Sequence, residues 1–125
     1  MSVGIYYSSM TGNVKRFLKK TGLEATQITD ANTPVTHDYF VIVTYTIGIG
    51  QVPPLVAEFV KNNSDKLVGV ASSGNKLWGR NFAKAGEIIS REFDVPLMLQ
   101  FELGGLESDI KKFKEEFDKI CNSLN

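Results

Sequence analysis

The stretch Tyr39-Phe40-Val41-Ile42-Val43-Thr44 constrains this chain more than any other. It is apolar nearly throughout and lacks the period-two alternation of a strand with one wet face. That pattern suits a central parallel strand covered on both sides. Parallel neighbours cannot be joined by a tight hairpin, because the chain must cross back over the sheet, usually as a helix. The rest of the sequence supplies the needed parts. Val3 to Tyr7 and Leu67 to Ala71 are two more apolar runs, Ala25-Thr26-Gln27-Ile28 is short and mixed, and Pro96 to Leu103 reads as a fifth strand. Between them, Val14, Phe17 and Leu18 mark one helix, which Gly22 can end, and Leu55, Val56, Phe59 and Val60 mark the next. Phe82, Ala85, Gly86, Ile89 and Phe93 line a third, and Leu106, Ile110, Phe113, Phe117, Ile120 and Leu124 recur at three- and four-residue steps in a closing helix.

The order βαββαβαβα with helical crossovers implies an α/β fold: an open parallel sheet with helices on both faces. The short mixed strand belongs at an edge, so the sheet order expected is 2-1-3-4-5, with a switch point between strands one and three. Ligands bind beyond the carboxyl ends of strands at such a point. At 125 residues and 42% hydrophobic content the chain fits a single domain, residues 1–125. Lysine plus arginine balance aspartate plus glutamate at 14 each, so no overall charge favours nucleic acid or anionic lipid. Cys121 is the only cysteine, and no signal peptide or membrane-length apolar run is present; a reducing cytoplasm is the expected setting.

Three unusual loops follow strands one, three and four, at residues 8–14, 44–53 and 72–79, and the topology brings them to one rim. The first, Ser8-Ser9-Met10-Thr11-Gly12-Asn13-Val14, offers hydroxyl and amide donors just before a helix start. Unpaired first-turn N–H groups and the helix dipole make such a junction a phosphate cradle. It contains neither Gly-x-x-x-x-Gly-Lys-Ser/Thr nor Gly-x-Gly-x-x-Gly, so nucleoside triphosphate and dinucleotide fingerprints are missing. The second loop carries Thr44, Tyr45 and Thr46, then Gly48-Ile49-Gly50. The third carries Ser73, Gly74 and Asn75, then Trp78 and Gly79, with Trp78 read as stacking on a ligand. A phosphorylated, flat, apolar aromatic ring satisfies both kinds of surface. A receiver domain would need an aspartate ending strand three, where Thr44 stands, and His37, alone in a polar loop, reads as a solvated surface residue rather than a catalytic one. No metal-ligand cluster is expected.

Ser9-Met10-Thr11-Gly12-Asn13-Val14 resembles the phosphate loop of flavodoxins. More specifically, Tyr7-Ser8-Ser9 with Gly12-Asn13 and Arg16-Phe17, Gly48 through Val52-Pro53, Ala71 to Asn75 with Gly79, Ala85 to Ile89, Val95-Pro96-Leu97 and Phe101-Glu102-Leu103 resemble the NrdI family. These are flavodoxin-like accessory flavoproteins of class Ib ribonucleotide reductase. The resemblance spans nearly the whole chain and implies a flavodoxin-like three-layer sandwich that binds FMN. It places Ser8, Ser9, Met10, Thr11, Gly12, Asn13 and Val14 at the phosphate, with Thr44, Tyr45, Thr46, Gly48, Ile49, Gly50, Ser73, Gly74, Asn75, Trp78 and Gly79 at the rest of the flavin. Val14 stands where such loops often have threonine, and Lys76-Leu77-Trp78 is bulkier and more basic than a plain flavodoxin loop.

The resemblance also implies a role. Reduced FMN would react with oxygen, and the oxidant would pass to the dimanganese (or di-iron) small subunit of the reductase to help generate its metal–tyrosyl radical cofactor. An electron-donating reductase would be the other partner, and neither nucleic acid nor membrane is implied. The competing function is a general flavodoxin-type one-electron carrier, although such proteins tend to be strongly acidic and this chain is neutral. A non-redox module for a phosphorylated metabolite would explain the first loop but not the aromatic third one.

Overall fold

The computed structural model describes residues Met1–Asn125. Its elements run β1 (Val3–Tyr7), α1 (Asn13–Thr21), β2 (Thr26–Gln27), β3 (Tyr39–Thr44), α2 (Pro54–Asn62), β4 (Leu67–Gly74), α3 (Lys84–Phe93), β5 (Leu97–Glu102) and α4 (Glu107–Ser123). A 3-10 turn spans Lys76–Asn81 between β4 and α3. All pairings in the sheet are parallel and its order is β2-β1-β3-β4-β5. The fold is therefore the flavodoxin-like three-layer sandwich. No helix is long and apolar enough to cross a membrane.

The strand alternation sorts side chains onto two faces, and both are covered. Ile5, Tyr7, Val41, Val43 and Phe101 pack with Val14, Phe17 and Leu18 of α1 and Phe113 and Ile120 of α4. Tyr6, Phe40, Ile42 and Val70 pack with Val56, Phe59 and Val60 of α2 and Ile89 of α3. Neighbours in β3 thus face opposite cores, and Phe40 to Val43 are fully buried. Phe17 stacks on Phe101 with ring centroids 4.0 Å apart and meets Phe113 edge-on at 5.5 Å, which pins α1 against β5 and α4. Truncating Phe17 to alanine there should cost about 3–5 kcal/mol. At the edge, β2 is two exposed residues long.

Two sequence expectations need correction. Strand four was expected to stop at Ala71 and open into a loop at Ser72, yet β4 runs to Gly74 because Ser72, Ser73 and Gly74 pair with Gln100, Phe101 and Glu102. Serines are tolerated there because a buried hydroxyl finds partners: Ser72 Oγ donates to the Ala83 carbonyl oxygen (2.5 Å) and accepts from Gly86 N–H (3.0 Å). The second correction is His37, which is not a solvated surface residue. Its Nδ1 lies 2.8 Å from the hydroxyl of buried Tyr6, its ring sits edge-on to Tyr6, and it occupies the space above Gly4, where a Cβ would fall 2.4 Å from Nδ1. The loop before β3 folds back over β1 and gives the phenol the partner that burial requires. Elsewhere the differences are small: α3 begins at Lys84 rather than Phe82, and α4 spans Glu107–Ser123.

Candidate functional site

The first loop leaves β1 with Ser8 N–H donating to the Val43 carbonyl oxygen (3.1 Å), which buries Ser8 and fixes where the chain turns. Gly12 then takes φ 88° immediately before α1, a left-handed conformation that a side chain would strain. The N-cap residue Gly12 has no side chain and no acid lies in the first turn of α1, so the amides of Asn13 and Val14 keep their donors for a ligand and no acid opposes an anion there. Ser9 Oγ accepts weakly from Lys15 N–H at 3.4 Å. Val14 is fully buried in the core, so its side chain is turned away and only its amide can serve.

Arg16 was not among the residues expected at the site, yet its guanidinium bends back along α1. It donates to Asn13 Oδ1, and a Cβ on Gly12 would lie 2.9 Å from Arg16 Nη1. With Oδ1 engaged, the Asn13 amide NH2 is left as a donor. The signal in the sequence was only the helical spacing of Arg16 from Gly12 and Asn13, which brings the side chain back over the loop.

In the second loop, Thr44 Oγ1 donates to the Tyr45 carbonyl oxygen (2.9 Å), which occupies that hydroxyl within its own turn. Thr46 Oγ1 donates to the Ser73 carbonyl oxygen (2.9 Å) and thereby ties the second loop to the third. Ile47 and Gln51 exchange two backbone hydrogen bonds (2.9 and 2.8 Å) around Gly48-Ile49-Gly50, and both glycines have positive φ. The third loop is shaped by Asn75, whose Oδ1 accepts from Leu77 N–H (2.9 Å) and whose carbonyl oxygen accepts from Trp78 N–H (3.0 Å). Gly74 permits a close approach, because a Cβ there would fall 2.4 Å from the nitrogen of Ala83.

The three loops meet at a cleft of about 240 Å³. Met10, Thr11 and Asn13 line it from the first loop, and Tyr45 and Thr46 from the second. Ser73, Gly74, Asn75 and Trp78 line it from the end of β4 and the third loop. Of the other expected residues, Ser8, Ser9, Gly12, Val14 and Thr44 build the loops without lining the cleft, as does Gly79 at the kink of the 3-10 turn, while Gly48 and Ile49 form an exposed tip and Gly50 is buried beside Asn81. A larger cleft of about 720 Å³ between α2 and α3 is lined by none of the expected residues.

Leu103 also lines the cleft and was missed, although it follows β5 on the same rim and precedes Gly104-Gly105. Beside it, Glu102 Oε2 accepts from Lys76 N–H (3.0 Å), so an acid reaches the base of the third loop from the neighbouring strand. The donor-rich first loop suits a phosphate monoester, and Tyr45, Trp78 and Leu103 around one narrow cleft suit a flat apolar ring.

Among solved structures, the chain resembles a short-chain flavodoxin associated with a PDU bacterial microcompartment at 22% identity, with all of both chains covered and a TM-score of 0.77. Oxidised flavodoxin 2 from Bacillus cereus matches at 23% identity over 98% of this chain and 99% of that one, with a TM-score of 0.70. A Fusobacterium nucleatum flavodoxin bound to flavin mononucleotide matches at 16% identity over 97% of each chain, with a TM-score of 0.62. At such identities these likenesses establish the fold. The sequence profile of the NrdI flavodoxin-like family matches residues 5–115, through every strand and all three rim loops, so this chain belongs to that family and its cofactor is FMN.

Proposed function

We propose that this chain, carrying reduced FMN, supplies the oxidant used to assemble the dimanganese–tyrosyl radical cofactor of class Ib ribonucleotide reductase. When bound, FMN supplies the two-electron chemistry with oxygen. The residues of the chain would do the rest. Ser9, Thr11, Asn13 and the leading amides of α1 would hold the phosphate, with Arg16 adding a positive charge at the loop. Tyr45, Thr46, Asn75 and Trp78 would flank the ring and narrow its exposure to water. One domain, residues 1–125, would carry the whole site and work in the cytoplasm, recharged by an electron-donating reductase.

The observation that carries this reading is the mouth of the cleft. Met10, Ile49 and Leu77 are 69%, 81% and 90% exposed, and they stand on the three loops that surround it. A rim of large apolar side chains on a neutral chain suits a closed contact with one partner, through which a reactive oxygen species would not be lost to solvent. An acidic electron shuttle would instead steer several partners by charge. The third loop contributes Lys76, with Arg80 just beyond it, and no acid. Tip residues Ile47, Gly48 and Ile49, together with Lys76, Leu77 and Trp78, are the proposed contact with the metal-bearing subunit.

The test is a mixture of manganese-loaded small subunit, this protein with fully reduced FMN, and oxygen. Electron paramagnetic resonance should show a tyrosyl radical coupled to manganese in far higher yield than with an ordinary flavodoxin. Ile49→Asp should lower the yield without releasing FMN. Equal yield with free reduced flavin, or with no flavoprotein, would overturn the proposal.

A further inference from the structure

Leu103 has a backbone φ of 53°. Three non-glycine residues take positive φ, and the other two have local reasons. Asp94 ends α3, a position where aspartate tolerates the left-handed region, and Ala83 is a small, fully buried residue at the start of the same helix. Leucine is a poor choice for this conformation, because its side chain crowds the backbone. Glycine would serve better, and the chain has glycine at the next two positions, Gly104 and Gly105.

Core packing does not account for the leucine, since its side chain is half exposed. Backbone pairing does not account for it either. Leu103 N–H donates to the Gly74 carbonyl oxygen (3.0 Å), a bond any residue with an amide could make. What remains is the side chain itself, which lies at the cleft together with Met10, Tyr45 and Trp78. The neighbouring contact between Glu102 and the Lys76 amide holds the third loop against the end of β5, so the wall bearing Leu103 and the wall bearing Trp78 are joined.

We propose that Leu103 is a cofactor-facing residue, kept in a strained backbone conformation so that its side chain covers the uncharged part of the flavin. This rests on FMN occupying the cleft. It assigns a role to the dipeptide Glu102-Leu103: the acid positions the third loop, and the leucine closes the cleft beside it.

The experiment uses the full chain and two variants that accept the left-handed conformation, Leu103→Gly and Leu103→Asn. Dissociation constants are measured for FMN and for riboflavin, and thermal unfolding is followed in the flavin-free protein. Leu103→Gly should leave the unfolding temperature of the flavin-free protein unchanged or raised. Both variants should bind FMN and riboflavin about tenfold more weakly, the loss expected when a half-buried leucine no longer covers apolar surface. Unchanged affinities would overturn the proposal and make Leu103 a feature of the rim alone. A loss confined to FMN would also overturn it, by placing Leu103 at the phosphate. Failure of the unaltered protein to bind FMN would instead overturn the reading of the cleft on which this one rests.

Discussion

Thr46 Oγ1 donates to the carbonyl oxygen of Ser73 at 2.9 Å, 27 residues further along the chain, and it also accepts from Ala85 N–H at 3.4 Å. One buried hydroxyl therefore joins the second loop, the end of β4 and the first turn of α3 beneath the cleft. Thr46→Val preserves shape but leaves the Ser73 carbonyl oxygen without its donor. It should destabilise the protein by about 1–3 kcal/mol, and Thr46→Ser should recover most of that. Urea unfolding of both variants decides the matter; equal stability of Thr46→Val and the unaltered protein would mean the joint contributes nothing.

Thr11 lines the cleft from the loop that precedes α1. If its hydroxyl meets the phosphate, Thr11→Ala removes a hydrogen bond to a charged group, a loss of about 1.5–3 kcal/mol, or roughly ten- to hundredfold in affinity. The effect should be large for FMN and small for riboflavin, which lacks the phosphate. Titration of both ligands checks it, and matched losses would place the phosphate elsewhere.

Trp78 is the sole tryptophan and is 40% exposed at the edge of the cleft. Its emission should therefore be strongly quenched as FMN binds, with no ambiguity of assignment. Emission unchanged at saturating FMN would separate Trp78 from the flavin.

Asp38 couples the amino terminus to pH. Ser2 N–H donates to its carboxylate at 2.9 Å and holds the carboxyl below its ordinary range; desolvation opposes this, while the Ser2 hydroxyl, the amino terminus and Lys66 add to it. A carboxyl whose value is lower in the folded state contributes stability above the unfolded value, near pH 4, and that contribution is lost as pH falls through the folded value. Asp38→Asn should therefore be less stable than the unaltered protein at pH 7, and the difference should shrink as pH falls below the unfolded value and the carboxylate is protonated. Thermal unfolding across that range measures it, and a gap independent of pH would rule out the carboxylate as its origin.

Much of this molecule is set locally and is legible in the sequence. An apolar run without alternation, Tyr39 to Thr44, is buried on both faces whatever surrounds it, and helices with one apolar face must cover it. From those runs and the crossovers between them, the parallel order and the shared rim of three loops follow. The short loop Ser8 to Asn13 likewise reads as a phosphate cradle because a strand, small donors, a glycine and a helix start are adjacent in the chain. Other features depend on partners far away in sequence. Ser72 and Ser73 looked like loop residues because nothing nearby could satisfy a buried hydroxyl or pair their backbone; Ala83 and Gly86 bond the Ser72 hydroxyl, and β5 pairs the backbone of both, only once the chain has folded. His37 looked solvated until Tyr6, 31 residues earlier, needed a partner for its buried phenol. Leu103 reaches the cleft, and Glu102 the base of the third loop, because β5 lies beside β4, and the Gly74 carbonyl oxygen and the Lys76 amide bond to them there. Periodicity decides which face a residue buries, since that is a property of neighbouring residues; which polar atom answers another across the sheet depends on strand adjacency and register, which only tertiary packing sets.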